Sequence, residues 1–259
     1  MVQELITDTK LEIIYPESDG QHKADNTKQF RWIVTIKENL EILFAEVADV
    51  FVAGDFLWYP VVGNNKIRTA PDIMVVFGRP KRDRGSYKQW EEENIAPQVV
   101  FEILSPGNRL KEMNKKLLFY QQHGVEEYYI YDPDKIDFTG LIRVNNTASP
   151  QSDRLETIEK IDGWVSPRLN IRFQITENTL EIYRPDGRKF LTSIELERLR
   201  EQEYQRAEQE KQRAEQEKQR AEQEKQRAEQ EKQRAEQEKQ RADRLAAILR
   251  ERGIDPDEL

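Results

Sequence analysis

Apolar residues recur at three- and four-residue spacing through Trp32, Ile33, Ile36, Leu40, Leu43 and Phe44, which predicts an amphipathic helix over about 27–45. Ahead of it, Tyr15-Pro16-Glu17-Ser18-Asp19-Gly20 forms a turn signal. The period then shortens. Segments 50–53, 56–59, 73–77 and 99–104 are short runs of Val, Ile and aromatic residues bounded by Gly and Pro, and they predict strands. Helical spacing returns over 109–123 with Leu110, Met113, Leu117 and Tyr120, and Gly124 stands just past its end as a stop. Residues 127–131 predict another strand, closed by Asp132-Pro133. Further short strands are predicted around 141–144, 155–161, 171–175 and 179–183, with turns at Asn145-Asn146, Asp162-Gly163 and Asp186-Gly187. Helix, strands, helix, strand and a β-rich finish make a mixed α/β domain rather than a regular βαβ repeat.

The pattern changes character near residue 192. After Tyr204 and until Leu245 alanine is the only apolar residue, and the heptad Arg-Ala-Glu-Gln-Glu-Lys-Gln occurs five times without a gap from Arg206 to Gln240. Every residue of it is a good helix former. Its charges are spaced so that Glu208 meets Lys211 and Arg206 meets Glu210. Thr192 and Glu195 fit a capping box, and Gly253 and Pro256 fit the stop. About 60 residues at 1.5 Å each make a rod of roughly 90 Å. With alanine at a, position d is glutamate (Ala207 with Glu210, Ala214 with Glu217), a poor knobs-into-holes seam; only Ala242, Leu245 and Leu249 make a conventional one. A solitary charge-stabilised helix and a weak coiled coil both remain open. The domains expected are 1–191 (globular), 192–252 (charged helix or coiled coil) and 253–259 (tail).

Composition narrows the class. All four tryptophans (Trp32, Trp58, Trp90, Trp164) lie in the body, and about 190 residues can bury a core alone. There is no cysteine, hence no disulfide framework and no zinc-thiolate site. The first residues carry no basic-then-apolar leader, and no apolar stretch approaches the roughly 20 residues that span a bilayer, so a soluble cytoplasmic protein is expected. The net charge is −8; the repeats are neutral, and residues 1–192 carry −5 of it. That counts against a dedicated nucleic-acid binder. A local basic strip is nevertheless present at Arg79, Lys81, Arg82, Arg84 and Lys88, interrupted by Asp83, with Lys111, Lys115 and Lys116 further on. The plainer reading of such a run is a solvated loop.

The candidate chemistry lies in two carboxylates set in apolar runs. Asp72 opens Pro71-Asp72-Ile73-Met74-Val75-Val76-Phe77, and Glu102 sits inside Val99-Val100-Phe101-Glu102-Ile103-Leu104. An ionised carboxylate in a buried strand is costly unless paired. Two that converge across a sheet form an oxygen-rich pocket suited to Mg²⁺. Lys116 follows on the next helix, while Lys115 would point about 100° away. Plainer alternatives stand beside this one: Asp72 as a strand-entry residue, and Glu102 as the partner of Lys116 in a structural ion pair. His22 and His123 have no serine–acid or metal-type cluster around them, and His123 beside Gly124 reads as a helix-end residue. No glycine-rich phosphate loop and no nucleophile elbow is present.

These residues support a resemblance. Asp72 after Pro71, followed by Glu102 on the next core strand, resembles the PD-(D/E)XK nuclease superfamily. More closely, the chain resembles the Uma-two family of candidate restriction endonucleases over about Tyr15 to Glu195. The likeness rests on Tyr15-Pro16 with Asp19-Gly20, Ala70-Pro71-Asp72, Phe77-Gly78, Pro80-Lys81-Arg82, Ser86-Tyr87-Lys88, Trp90-Glu91, Glu102-Ile103-Leu104-Ser105-Pro106, Lys116 with Tyr120, Gly124-Val125-Glu126-Glu127-Tyr128 and Asp132-Pro133. It implies a restriction-endonuclease-like α/β fold: a mixed sheet flanked by helices. It also implies a divalent-metal site for Mg²⁺ or Mn²⁺, with Asp72 and Glu102 as ligands. The superfamily places a lysine two residues after the second acid, where this chain has Leu104; the family's helical lysine matches Lys116 instead. A first-helix acid assists the metal, and Asp25 is the best match, Glu46 a weaker one. The resemblance thus implies metal-dependent hydrolysis of DNA, with Asp72, Glu102 and Lys116 as the catalytic set, and a homodimer through the globular domain. RNA is not excluded as substrate. The competing expectation is an inactive nuclease fold serving as a binding or assembly module, with the helical rod as its working part.

Overall fold

The computed structural model describes residues 13–18, 26–107, 110–144 and 154–251. The apolar stripe of Ile33, Ile36 and Leu40 forms the buried face of α1 (Thr27–Leu43), which starts where the Asn26 side chain accepts from the Lys28 N–H at 2.7 Å. The strands that follow are β1 (Val50–Gly54), β2 (Trp58–Tyr59), β3 (Ile73–Phe77), β4 (Tyr87–Lys88) and β5 (Val99–Ile103). Then come α2 (Leu110–Gln122), β6 (Glu127–Asp132), β7 (Asp137–Val144), β8 (Arg154–Thr157), β9 (Arg172–Ile175) and β10 (Leu180–Tyr183). A short 3₁₀ turn spans Gln89–Glu91.

Six strands form one mixed sheet in the order β1-β3-β5-β6-β7-β8. Only β5 and β6 run parallel, and α2 is the crossover between them. Gly124 ends α2 at φ +91°, a left-handed conformation that glycine adopts without strain, while the Val125 N–H bonds back to the Tyr120 carbonyl at 3.1 Å. The side chains of the sheet alternate between two cores. Val75, Val99, Phe101, Ile103, Tyr129 and Tyr131 pack with α1 and with the β9–β10 hairpin. Met74, Val76, Val100 and Tyr128 pack with Tyr120 and Leu117 of α2 and with Trp58 and Tyr87 of the small β2–β4 pair.

The expected elements are present with shifted ends. β2 is shorter than its apolar run, β7 starts earlier at Asp137, and β8 stops at Thr157. Ile158 and Ile161 leave the strand but still pack on the first core. The β4 pairing and the 3₁₀ turn carry too few apolar residues to show in the sequence.

The chain divides into two compact units, 1–194 and 195–259. The described part of the second unit is helical, belonging to α3 (Ser193–Glu251), which begins directly after Thr192. Its described repeat side chains are all solvent-exposed. Residues 253–259, the turn at Asn145-Asn146 and the helix stop at Gly253 and Pro256 lie outside the described residues. No helix among the described residues is long and apolar enough to cross a membrane.

Candidate active site

Strand register brings the two carboxylates together. β3 and β5 are antiparallel, with Met74 opposite Val100 and Ile73 opposite Phe101. Continued by one residue past the start of β3, this register puts Asp72 across from Glu102. Ile73 and Phe101 face the first core, so alternation turns Asp72 and Glu102 to the other face, beneath α2. Both are buried, at 8% and 2% exposure. The Asp72 Oδ2 accepts the Ile103 backbone N–H at 2.7 Å, which ties the entry of β3 to the end of β5.

From α2, Lys116 and Tyr120 lie one helical turn apart and reach the same carboxylate. The Lys116 Nζ is 2.6 Å from Glu102 Oε2, and the Tyr120 hydroxyl donates to Glu102 Oε1 at 2.5 Å. A longer contact of 3.5 Å runs from Lys116 Nζ to the Ala70 carbonyl. Burial pulls the Lys116 ammonium down, but Glu102 and then Asp72 outweigh it, and the net shift is upward. This favours the charged form of Lys116. Burial first, and then Glu102, push the Tyr120 phenol well above its ordinary range, so it stays an O–H donor.

Among the described residues this pocket gathers two carboxyl groups and one ammonium. Among the described residues no group of three or more His, Cys, Asp or Glu converges. The set nonetheless fits Mg²⁺, which is typically held by one or two carboxylates while waters and substrate phosphates complete its shell. Each carboxylate oxygen has two lone-pair sites, so Glu102 keeps capacity beyond Lys116 and Tyr120.

The other expected residues are distributed differently. Lys115 is exposed, one helical step from Lys116. Asp25 and His22 lie outside the described residues. The start of α1 does reach this region, because Gln29 Nε2 donates to the Ile103 carbonyl at 2.8 Å. Glu46 is exposed beyond the other end of α1, about 25 Å along the helix, where Phe44 packs against Phe77 at the far end of β3. Leu104, at the superfamily's lysine position, continues β5 by donating its N–H to the Tyr131 carbonyl at 2.7 Å. His123 packs edge-on against Trp58, and burial lowers its proton affinity, as suits a helix-end aromatic.

The basic strip is divided: Lys81, Arg82 and Asp83 are exposed, while Arg79 and Arg84 turn inward. Arg79, Arg82 and Arg84 converge on the buried Glu92, at 3.1, 2.7 and 2.7 Å. Burial alone would raise the Glu92 carboxyl, yet Arg84 and then Arg82 bring it down to about 2. Lys81 caps the end of α1 through the Phe44 and Ala45 carbonyls, and Lys88 pairs with Glu91. The sequence reading left Tyr120 without a role, although its spacing of four from Lys116 was visible. Glu127, quoted in the sequence only as part of the family likeness, is buried on the opposite face of the sheet. Glu127 accepts from Ser166 Oγ (2.5 Å), Tyr129 OH (2.9 Å) and Arg168 N–H (2.7 Å). Burial raises its carboxyl despite these donors.

With this geometry in view, the sequence model of the Uma2 family, described as "Putative restriction endonuclease", matches residues 4–226. No curated protein matches the chain. Among solved structures, the chain is similar to one titled a "putative nuclease belonging to DUF820" from Anabaena variabilis ATCC 29413. That likeness is at 18% identity and a TM-score of 0.39, covering 55% of this chain and 73% of that one.

Proposed function

Since this chain belongs to the Uma2 family, we propose that it is a metal-dependent nuclease that hydrolyses DNA phosphodiester bonds at the Asp72–Glu102–Lys116 site. The observation that carries this reading is the pair of buried carboxyl groups, Asp72 and Glu102, with the Lys116 ammonium brought onto Glu102 from α2. Burying two such charges side by side is unfavourable without a cation to share. Mg²⁺ or Mn²⁺, held by Asp72 and Glu102, would supply a more acidic water and offset charge on the phosphate. The remaining work falls to protein groups. The Ile103 N–H fixes the rotamer of Asp72, and Tyr120 fixes Glu102. Lys116, in its charged form, stabilises the negative charge that builds on the phosphoryl oxygens. Two strands cut by two subunits would make a homodimer of the globular unit the working form.

The test is nicking of supercoiled plasmid in Mg²⁺ or Mn²⁺. Asp72→Asn and Glu102→Gln keep the shape of the site and remove its charge. Each should lose at least about 10²-fold in rate. Nicking that survives both substitutions would sink the assignment.

A second reading has its own observation. Lys116 and Tyr120 already occupy both Glu102 oxygens, which is also how a purely structural buried pair looks. In that case the domain is a binding or assembly module. Calorimetric titration with Mn²⁺ separates the two: micromolar binding lost in Glu102→Gln supports the enzyme, and no binding at millimolar metal supports the module.

A further inference from the structure

Four tyrosines crowd the two cores around β6, and three have assigned hydroxyls. Tyr120 donates to Glu102, Tyr129 donates to Glu127, and the Tyr131 oxygen accepts from the Leu180 N–H. The fourth, Tyr128, is completely buried, and its hydroxyl has no hydrogen-bond partner among the described residues. Its ring packs edge-on against Tyr120 at 4.9 Å, a contact that phenylalanine would make equally well. Phenylalanine would also avoid the desolvation of an unsatisfied hydroxyl. Packing therefore accounts for the ring and not for the oxygen.

The position of Tyr128 supplies what packing does not. Val100 pairs with Tyr128 and Glu102 with Ile130 across the parallel β5–β6 step, so Tyr128 shares the face of Glu102, two residues back along the sheet. Through its ring contact with Tyr120, whose hydroxyl donates to Glu102, Tyr128 borders the site. After burial, the charges of Glu102 and then Asp72 raise its proton affinity, which keeps the O–H intact. A neutral hydroxyl beside a carboxylate pair can donate to one group and accept from another, as a bound water requires.

We propose that Tyr128 is a positioning residue whose hydroxyl holds a water of the Asp72–Glu102 site, one carried in with the divalent cation. The inference rests on the metal-dependent nuclease reading and deepens it. The hydroxyl orients the water and touches neither metal nor phosphate, so its loss should weaken the site without abolishing it. Partners that orient inner ligands in this way are typically worth about 10–100-fold in metal affinity or activity.

The test is Tyr128→Phe in the full chain, read by melting, Mn²⁺ titration and nicking kinetics. In chelator the variant should melt about 2–4 °C above wild type, because an unsatisfied hydroxyl has been removed. In saturating Mn²⁺ that advantage should shrink or reverse. Mn²⁺ affinity should fall about tenfold, and kcat at saturating metal should fall similarly while KM for DNA holds. Unchanged Mn²⁺ affinity and kcat in the variant would overturn the proposal. So would a lower melting point in chelator, which would show that the hydroxyl serves the metal-free fold. The wild-type arm judges the parent reading separately: if wild type neither binds Mn²⁺ nor nicks DNA, the nuclease reading falls and this inference falls with it.

Discussion

Replacing Glu92 with glutamine removes the charge at the centre of the arginine cluster and keeps the side chain's shape. Glu92 and Arg84 are almost fully buried, with side chains 4% and 5% exposed, and Arg79 is 11% exposed. Arg82 is 55% exposed and can return to water. Breaking a buried ion pair from one side costs roughly 3–5 kcal/mol, because the partner charge stays behind. Arg84 would keep the Pro80 and Arg82 carbonyls as acceptors, and Arg79 would keep Glu93, which places the expected loss near the low end, about 3 kcal/mol. For a unit of this size that corresponds to a melting point roughly 6–12 °C lower. Tryptophan fluorescence is the assay of choice, since every tryptophan lies in the globular unit and α3 would dominate any far-ultraviolet signal. The pH dependence supplies the sign. The folded carboxyl, brought down to about 2, lies below its unfolded value of about 4.3. Its stabilisation is therefore complete above about pH 4.3 and is lost as pH falls toward 2. The gap between wild type and Glu92→Gln should be full at neutral pH and close through that window. A gap below about 2 °C at neutral pH, or one that persists undiminished near pH 2, would refute the reasoning.

Lys116→Met removes the ammonium paired with the buried Glu102. The variant should lose roughly 3 kcal/mol in metal-free buffer and regain part of it in millimolar Mg²⁺, and a deficit that ignores the metal would count against a cation in this pocket. Ser166→Ala removes a donor to Glu127 and the acceptor of the Leu169 N–H, on the opposite face of the sheet. Urea unfolding should show a loss of about 1–3 kcal/mol while plasmid nicking stays at the wild-type rate. Truncation to residues 1–199 should leave both the tryptophan melting curve and the oligomeric state by light scattering unchanged. A dimer that becomes a monomer would show that the Ala242, Leu245 and Leu249 seam drives assembly, and a lost transition would move the domain boundary.

Much of this protein is written locally. The spacing of Ile33, Ile36 and Leu40 states an amphipathic helix, and the compact runs at 73–77 and 99–103 state buried strands, because periodicity depends only on near neighbours. Asp72 and Glu102 stood out for the same reason, as charges inside apolar runs, whereas Lys116 was marked by its place on the next helix and by the family likeness. The two-residue β4 did not, since pairing with Trp58 and Tyr59, rather than any pattern of its own, makes it a strand. Tertiary structure alone decided the rest. Strand register placed Asp72 opposite Glu102, α2 brought Lys116 and Tyr120 onto one carboxylate, and the chain folded Arg79, Arg82 and Arg84 around Glu92. A basic run and a solvated loop look alike in sequence, because whether a charge meets water or a buried partner depends on contacts that close only when distant segments pack.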